Sequence, residues 1–138
     1  MRVFIAGVMQ GSKKGKGITS QDYRQAIRTE ILAIHPNAEV TDPFMLFPDS
    51  PEFDDERAHQ VLHEMAKTAG DSDILIAYLP VASMGTALEM IRAYDNGVPV
   101  ISITPMAENW VVRSLSNYVF PTTEKFNAWV RDGGLDTL

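Results

Sequence analysis

The residues best suited to chemistry lie in the segment Ser83–Met90. Ser83 supplies a hydroxyl, and Gly85 has no side chain, so a ligand can approach the backbone closely there. If a helix begins at this point, its first amides carry a partial positive charge that suits a phosphate group. Glu89 then falls in the first turn, where the helix dipole favours the ionised carboxylate. The segment therefore predicts an anion site beside a carboxylate that can act as a nucleophile.

The same residues also match a helix capping box, because Thr86-x-x-Glu89 has the required spacing. In a capping box the glutamate reaches back to the first amide and serves only the fold. The pattern leaves both interpretations open. The substitution Glu89→Gln separates them, because an amide keeps a capping hydrogen bond but lacks the negative charge that nucleophilic attack needs.

Short apolar runs alternate with longer segments of helical period, which predicts one α/β domain over residues 1–138. The run Asp73–Leu79 is typical of a central strand that helices cover on both faces. We therefore expect a doubly wound, five-stranded parallel sheet of the Rossmann or flavodoxin type. Ligands of such sheets bind beyond the carboxyl ends of the strands, in the loops that follow them.

The individual elements follow from the same patterns. The predicted strands are Val3–Ala6, Glu39–Thr41, Asp73–Leu79, Val98–Ile103 and Tyr118–Phe120. The predicted helices are one capped by Thr19 or Ser20 and ended by Pro36, one from Asp54 to Gly70, then Gly85–Asn96, Trp110–Ser116 and a closing helix around Trp129. On the second helix, a buried stripe is expected at Ala58, Val61, Leu62, Met65 and Ala69.

Composition excludes several classes of function. The chain has 12 Lys+Arg against 18 Asp+Glu, a net charge of −6, so nucleic-acid polymers and membranes are not expected partners. Without cysteine there is no disulfide framework, thiolate nucleophile or zinc–thiolate site. No His-Glu-x-x-His or other metal motif occurs, and no cofactor is expected. With no long apolar run and no signal peptide, a cytoplasmic location is expected.

The chain resembles the nucleoside 2-deoxyribosyltransferases and the related 2'-deoxynucleoside 5'-phosphate N-hydrolases. The resemblance is strongest over Asp73–Pro99, where a strand, Ser83-x-Gly85-x-x-x-Glu89 and a helix follow that family's order. It implies that Glu89 attacks the anomeric carbon and forms a glycosyl-enzyme ester. The transferases usually have an aspartate at the position of Ser83, whereas the nucleotide hydrolases have a serine that contacts the 5'-phosphate. Ser83 therefore favours a nucleotide substrate.

A weaker match joins the first strand to the loop after it. Gly7, Gln10 and Gly11 resemble the substrate loop of the family and are expected to border the sugar and the base. Met9, in the same loop, is expected to line an apolar slot for the base or else to fill a gap in the core. Thr86 is expected at the phosphate with Ser83 and Gly85.

Two departures from the family's pattern concern catalysis. The family's first strand commonly carries a tyrosine that hydrogen-bonds the nucleophile, and Phe4 matches that position here. Met65 and Ala66 occupy the zone of the aspartate that protonates the leaving base. Glu64 is the nearest carboxylate, and His63-Glu64 resembles a His-Glu pair of the hydrolase branch. Glu64 is therefore the expected substitute, although a shift of one helical position rotates a side chain by about 100°.

Two polar residues in other loops are further candidates. Asp42 follows the second strand and is either a substrate contact or simple turn chemistry before Pro43. Asn109 corresponds to an asparagine that completes the neighbouring subunit's site in the transferases, or else it caps the helix at Trp110. Because members of the family are oligomers, the resemblance implies a homo-oligomer.

The leading interpretation is an enzyme that cleaves the N-glycosidic bond of a 2'-deoxynucleoside 5'-monophosphate or a related nucleotide. One alternative is a true deoxyribosyltransferase, and another is a nucleotide-binding or sensing protein that has lost catalysis. A third is a phosphoribohydrolase of the lysine-decarboxylase-like group, which shares the Gly-Thr-x-x-Glu helix start. That group usually has a double glycine where this chain has Ala82-Ser83.

Overall fold

Five parallel strands form the centre of the molecule, in a computed structural model that describes all residues, Met1–Leu138. The strands are β1 (Arg2–Gly7), β2 (Glu39–Thr41), β3 (Ile74–Tyr78), β4 (Val100–Ile103) and β5 (Tyr118–Phe120). Their order in the sheet is β2-β1-β3-β4-β5. The predicted α/β fold with a five-stranded parallel sheet is confirmed, and this strand order is that of flavodoxin-like folds.

Six α-helices cover the sheet: α1 (Asp22–Ile34), α2 (Pro43–Leu46), α3 (Asp55–Gly70), α4 (Met84–Asp95), α5 (Trp110–Leu115) and α6 (Thr123–Arg131). Two short 3-10 helices lie at Ser50–Glu52 and Gly134–Thr137. No helix combines the length and the apolarity that crossing a bilayer requires.

The sheet separates two apolar layers, because successive side chains of a strand point to opposite faces. On β1, Phe4 packs in the cluster that contains residues of α3, α4 and α5. Its neighbour Ile5 packs in the cluster that contains residues of α1 and α6. The apolar runs of the central strands therefore arise from burial on both faces.

The chain changes direction across the sheet between β1 and β3, which are hydrogen-bonded neighbours. From β1 the chain crosses to β2 on one side, and it then returns to β3 on the other side. The loops after β1 and β3 consequently diverge and leave a crevice at the carboxyl edge of the sheet, which is where doubly wound folds bind ligands.

Three local expectations are corrected. The N-cap residue of α1 is Gln21, whose side chain makes no capping hydrogen bond. Of the two expected caps, Ser20 accepts a hydrogen bond from the amide of Asp22 at 3.4 Å, whereas the hydroxyl of Thr19 donates to the carbonyl of Val8 at 3.2 Å. The short helix α2 was not expected. It forms because Asp42 accepts a hydrogen bond from the amide of Phe44 at 2.9 Å, while Pro43 suits the first helical position.

The third correction concerns the apolar stripe of α3. Met65 and Ala69 are buried as expected, but Ala58 and Leu62 are exposed and Val61 is only partly buried. Ala58, Val61 and Leu62 line a cavity, and of these three only Val61 also packs against the core.

Candidate functional site

A cavity of about 420 Å³ opens at the carboxyl edge of the sheet. The end of β1 contributes Gly7, and the loop after it contributes Met9, Gln10, Gly11, Lys16 and Ile18. The start of α4 contributes Ser83, Met84, Gly85, Thr86 and Glu89. Arg24 of α1 completes this polar side, and the segment from Pro43 to Met65 forms the opposite wall. Of the residues expected at the site, the structure gathers all but Asp42, Glu64 and Asn109 around one cavity.

The N-terminus of α4 forms one end of the cavity. Ser83 is the N-cap residue, and its Oγ accepts hydrogen bonds from the amide of Thr86 at 3.3 Å and from the hydroxyl of Thr86 at 3.0 Å. The amides of Met84 and Gly85 have no acceptor in the protein. A Cβ atom at Gly85 would meet nothing within 4 Å, so the space beside this backbone is open. Free amides, a helix dipole and open space together suit an anion.

The position of Ser83 rules out the capping box expected from Thr86-x-x-Glu89. Thr86 lies inside the helix, and Glu89 lies in the second turn, beyond the free amides. The carboxylate of Glu89 makes no hydrogen bond to the protein and lines the cavity. Its side chain therefore serves no cap, and it remains available to a ligand.

Burial raises the pKa of Glu89 to about 8, and the positive charge of Arg24 opposes this shift. The sequence had predicted the opposite direction, because the helix dipole was expected to favour the ionised form. That expectation was wrong for two physical reasons. Glu89 lies past the first turn, where the dipole effect fades, and loss of solvent around a carboxylate outweighs it.

Arg24 is a functional-site candidate that the sequence analysis missed. Its side chain is 2% exposed and forms a buried ion pair with Asp42, with 3.2 Å between Nη1 and Oδ1. Nη1 also donates to the carbonyl of Ile5 at 2.7 Å, and Nη2 donates to that of Gly7 at 3.1 Å. The sequence signal for this residue was its register, because Arg24 shares the buried face of α1 with Ile27 and Ile31.

Close packing fixes the turn that leads from β1 into the cavity. A Cβ atom at Gly7 would collide with the hydroxyl of Tyr23, so only glycine fits there. The Tyr23 hydroxyl donates to the carbonyl of Val8 at 3.3 Å, and its ring stacks on Tyr78 with 4.2 Å between centroids. Burial raises the pKa of Tyr23, so the phenol stays neutral. Further along, Gly11 adopts a φ of 59°, which favours glycine.

The wall opposite α4 is apolar. Phe47 and Phe53 meet edge to face at 6.1 Å between centroids, and Val61, Leu62 and Met65 continue the surface along α3. The exception is Ser50, whose Oγ has no hydrogen-bond partner in the protein. Flat aromatic and aliphatic surfaces of this kind suit the faces of a planar ring.

Three expected site residues do not reach the cavity. Glu64 is exposed on another face of α3, because the helical rotation that brings Met65 to the cavity turns its neighbour away. Asp42 is 3% exposed and is occupied by Arg24 and the α2 cap. Asn109 is exposed and accepts a hydrogen bond from the amide of Val111 at 2.9 Å, so it caps α5.

The position that matches the first-strand tyrosine of the family holds Phe4, which has no hydroxyl. Phe4 is fully buried in the core and does not line the cavity. The chain also has no group of three or more His, Asp or Glu side chains that could hold a metal ion.

Solved structures share the fold of this chain. The 2-deoxyribosyltransferase of the psychrotolerant bacterium Bacillus psychrosaccharolyticus matches with a TM-score of 0.65 and 17% identity, over 92% of this chain and 90% of that chain. The chain has a deoxyribosyltransferase-like fold. A conserved protein from Enterococcus faecalis V583 also matches this deoxyribosyltransferase-like fold, with a TM-score of 0.65 and 16% identity over 96% of this chain and 98% of that one. No protein-family model and no curated protein matches the sequence.

Proposed function

We propose that this chain cleaves the N-glycosidic bond of a 2'-deoxynucleoside 5'-monophosphate or a related nucleotide, with Glu89 as the nucleophile. The observation that carries the proposal is the placement of Glu89. It is a carboxylate without a protein hydrogen bond, in a cavity that has a helix N-terminus at one end and an apolar wall opposite. A nucleotide offers the matching sequence of groups, namely phosphate, sugar and base.

The phosphate is assigned to the N-terminus of α4. The amides of Met84 and Gly85 and the hydroxyl of Ser83 can donate to phosphate oxygens, whereas the hydroxyl of Thr86 already donates to Ser83. Lys16 adds positive charge on the facing loop. An aspartate in place of Ser83 would repel the same phosphate. The serine therefore favours a nucleotide over a nucleoside.

The base is assigned to the apolar wall. Phe47, Phe53, Leu62 and Met65 can cover its faces, with Met9 on the loop opposite. The sugar then lies between the two ends, bordered by Gly7, Gln10 and Gly11, and Glu89 can approach its anomeric carbon.

The reaction has two displacements. A carboxylate oxygen of Glu89 forms a bond to the anomeric carbon, the bond to the base nitrogen breaks with its electron pair leaving on the base, and the base takes up a proton. Water then attacks the anomeric carbon of the ester, which releases the sugar phosphate, a proton and the free carboxylate. Each displacement inverts the configuration of the anomeric carbon, so the two together retain it.

Deoxyribosyl transfer is the second candidate, because the fold is shared with a 2-deoxyribosyltransferase. In that case a second base, instead of water, attacks the ester. A nucleotide-sensing role is the candidate from another class. This role is favoured because two expected catalytic helpers are missing. Phe4, at the position of the family's tyrosine, is buried in the core, and Glu64, the expected substitute for the family's aspartate, is exposed.

Release of free base distinguishes these candidates. The protein is incubated with each deoxynucleoside and each deoxynucleoside monophosphate, with and without an acceptor base. Base release without acceptor supports the hydrolase, and exchange that requires an acceptor supports the transferase. Thermal stabilisation by nucleotides without turnover supports the sensor. Hydrolysis of nucleosides in preference to their monophosphates would contradict the role of Ser83.

We also propose a homo-oligomer, as the resemblance implies. Met84 is 88% exposed, Trp110 is 83% exposed, and Ile91 and Tyr94 continue an exposed apolar face along α4. Large apolar side chains exposed along a helix in this way are typical of a protein–protein contact. Sedimentation of the wild type and of Tyr94→Glu tests this, because a charge in the contact is expected to shift the protein toward the monomer.

A further inference from the structure

The guanidinium of Arg24 has more hydrogen-bond donors than the protein uses. An arginine carries five N–H groups. Nε donates to Gln21, Nη1 donates to Ile5 and Asp42, and Nη2 donates to Gly7. The second N–H of Nη2 has no acceptor in the protein, and Arg24 is one of the residues that line the cavity. The site thus contains a fixed, buried cation with an unused donor.

Few other charged groups surround Glu89. Lys16 is the other charged residue of the cavity besides Arg24 and Glu89, and its ammonium lies 3.9 Å from the carboxylate of Glu52 on the surface. On α4 itself, the other titratable residues Arg92, Tyr94 and Asp95 are exposed. Tyr23 of α1 is neutral, because burial raises its pKa.

The elements packed against α4 add no charge to the cavity. The residues of α3 that line it are uncharged, and the titratable residues of that helix are all exposed: Asp55, Glu56, Arg57, His59, His63, Glu64 and Lys67. The guanidinium of Arg57 lies over the rings of Phe47 and Phe53, 5.4 and 5.5 Å from their centroids, but Arg57 itself does not line the cavity. Arg113 of α5 lies on the surface, 3.7 Å from Glu108. Arg24 is therefore the buried cation next to Glu89, and Asp42 is the anion paired with that cation.

We infer that Arg24 is a positioning residue whose positive charge favours the ionised form of Glu89, and that the ion pair with Asp42 limits how strongly it does so. This inference rests on the proposed function, in which the charged carboxylate is the attacking group. A carboxylate in a cavity without hydrogen bonds is disfavoured by lost solvation, and a nearby cation offsets that loss. Asp42 does not line the cavity, but it forms an ion pair with the same cation. Its negative charge therefore reduces the positive electrostatic potential that Arg24 creates at the Glu89 carboxylate.

Two variants are expected to change the electrostatic potential at Glu89 in opposite directions. Asp42→Asn keeps an oxygen that accepts from Arg24 and from the amide of Phe44, but it removes the opposing charge. Glu89 is then expected to titrate at lower pH. The double variant Arg24→Gln with Asp42→Asn removes both charges without leaving either one buried alone, and Glu89 is expected to titrate at higher pH.

The readout is the titration of the Glu89 carboxyl carbon by ¹³C NMR, with Glu89→Gln identifying its signal. Shifts of about one pH unit are expected, as is usual for a single nearby charge. The pH dependence of kcat/KM for base release is expected to move in the same directions. Asp73→Asn is the matched control, because Asp73 pairs with Arg2 in an exposed ion pair at the opposite edge of the sheet.

The outcomes separate the inference from the proposed function. Opposite shifts in the two variants, with none in the control, support the role of Arg24. Titration of Glu89 at the same pH in all the proteins would overturn it, even if the wild type releases base. Absence of base release from every nucleotide, with the shifts present, would instead defeat the proposed function alone. Thermal unfolding of each variant verifies that it is folded.

Discussion

The hydroxyl of Thr86 donates a hydrogen bond of 3.0 Å to Oγ of Ser83, within the first turn of α4. This contact assigns the cap to Ser83 and places Thr86 inside the helix. As a result, Glu89 is one turn removed from the free amides, and its carboxylate has no capping role. The helix N-terminus and the carboxylate are thereby two separate features of one cavity, which is what a substrate with a phosphate and a reactive sugar carbon requires.

Replacement of Ser83 by alanine is expected to have two effects. Loss of the cap lowers the free energy of unfolding by about 1 kcal/mol. Loss of a phosphate donor raises KM for nucleotides, by about tenfold if one charge-assisted hydrogen bond of about 1.5 kcal/mol is lost. The measurements are chemical denaturation and steady-state base release.

Asn109→Ala is the matched control for that variant. Asn109 caps α5 in the same manner but lies outside the cavity. It is expected to reduce stability by a similar amount and to leave KM unchanged. Equal increases of KM in the two variants would show that a lost cap, and not a lost phosphate contact, explains the effect.

Replacement of Ser83 by aspartate is expected to invert substrate preference. Aspartate is as good an N-cap as serine, so α4 and the stability of the protein are retained. Its negative charge repels the phosphate, so kcat/KM for monophosphates falls while that for nucleosides is maintained or rises. Competition between a nucleoside and its monophosphate measures the change, and an unaltered preference would place the phosphate elsewhere.

The raised pKa of Glu89 predicts opposite pH dependences of activity and stability. In the folded protein the pKa is about 8, against an ordinary value of 4.5. Between these values the folded state binds more protons than the unfolded state, so this group lowers the free energy of unfolding as pH rises from 4.5 to about 8. Base release rises over the upper part of that range, because the nucleophile must be ionised.

Denaturation curves across this pH range, for the wild type and Glu89→Gln, measure the effect. The difference in stability between the two proteins is expected to grow in favour of the glutamine variant as pH rises. A difference that stays constant would mean that Glu89 titrates at its ordinary pH.

The turn after β1 yields a packing prediction. Gly7→Ala adds a methyl group where the hydroxyl of Tyr23 lies, so it is expected to cost about 1–3 kcal/mol of stability. The double variant with Tyr23→Phe removes the colliding oxygen and is expected to recover part of that loss. Thermal denaturation of the single and double variants tests this, and a double variant no more stable than Gly7→Ala would contradict the stated cause.

Sequence patterns predicted the strands and helices that depend on residues close together in the chain. The apolar run of β3 and the alternation of strands with helices were sufficient for the α/β fold, because each pattern reflects burial that recurs along the chain. Ser83, Gly85 and Glu89 were predicted as site residues because their segment follows a central strand and leads into a helix, and the structure places all three at one cavity.

The parts that were missed depend on contacts between distant residues. The role of Arg24 depends on Asp42 and on two carbonyls of β1, which no local pattern brings together. The apolar stripe of α3 was recognised, but its period does not reveal whether the stripe faces a sheet or a cavity. Likewise, spacing alone does not distinguish Ser83 from Thr86 as the N-cap of α4. It also does not predict whether the side chain of Glu64 faces the cavity.

The most direct test of the proposed reaction is base release by Glu89→Gln, measured beside the wild type on a deoxynucleoside monophosphate. The wild type is expected to release free base, whereas the folded glutamine variant, with equal or greater stability, is expected to lose at least about a thousandfold in kcat because no carboxylate attacks the sugar. A folded Glu89→Gln protein that turns over substrate at the wild-type rate would contradict the account.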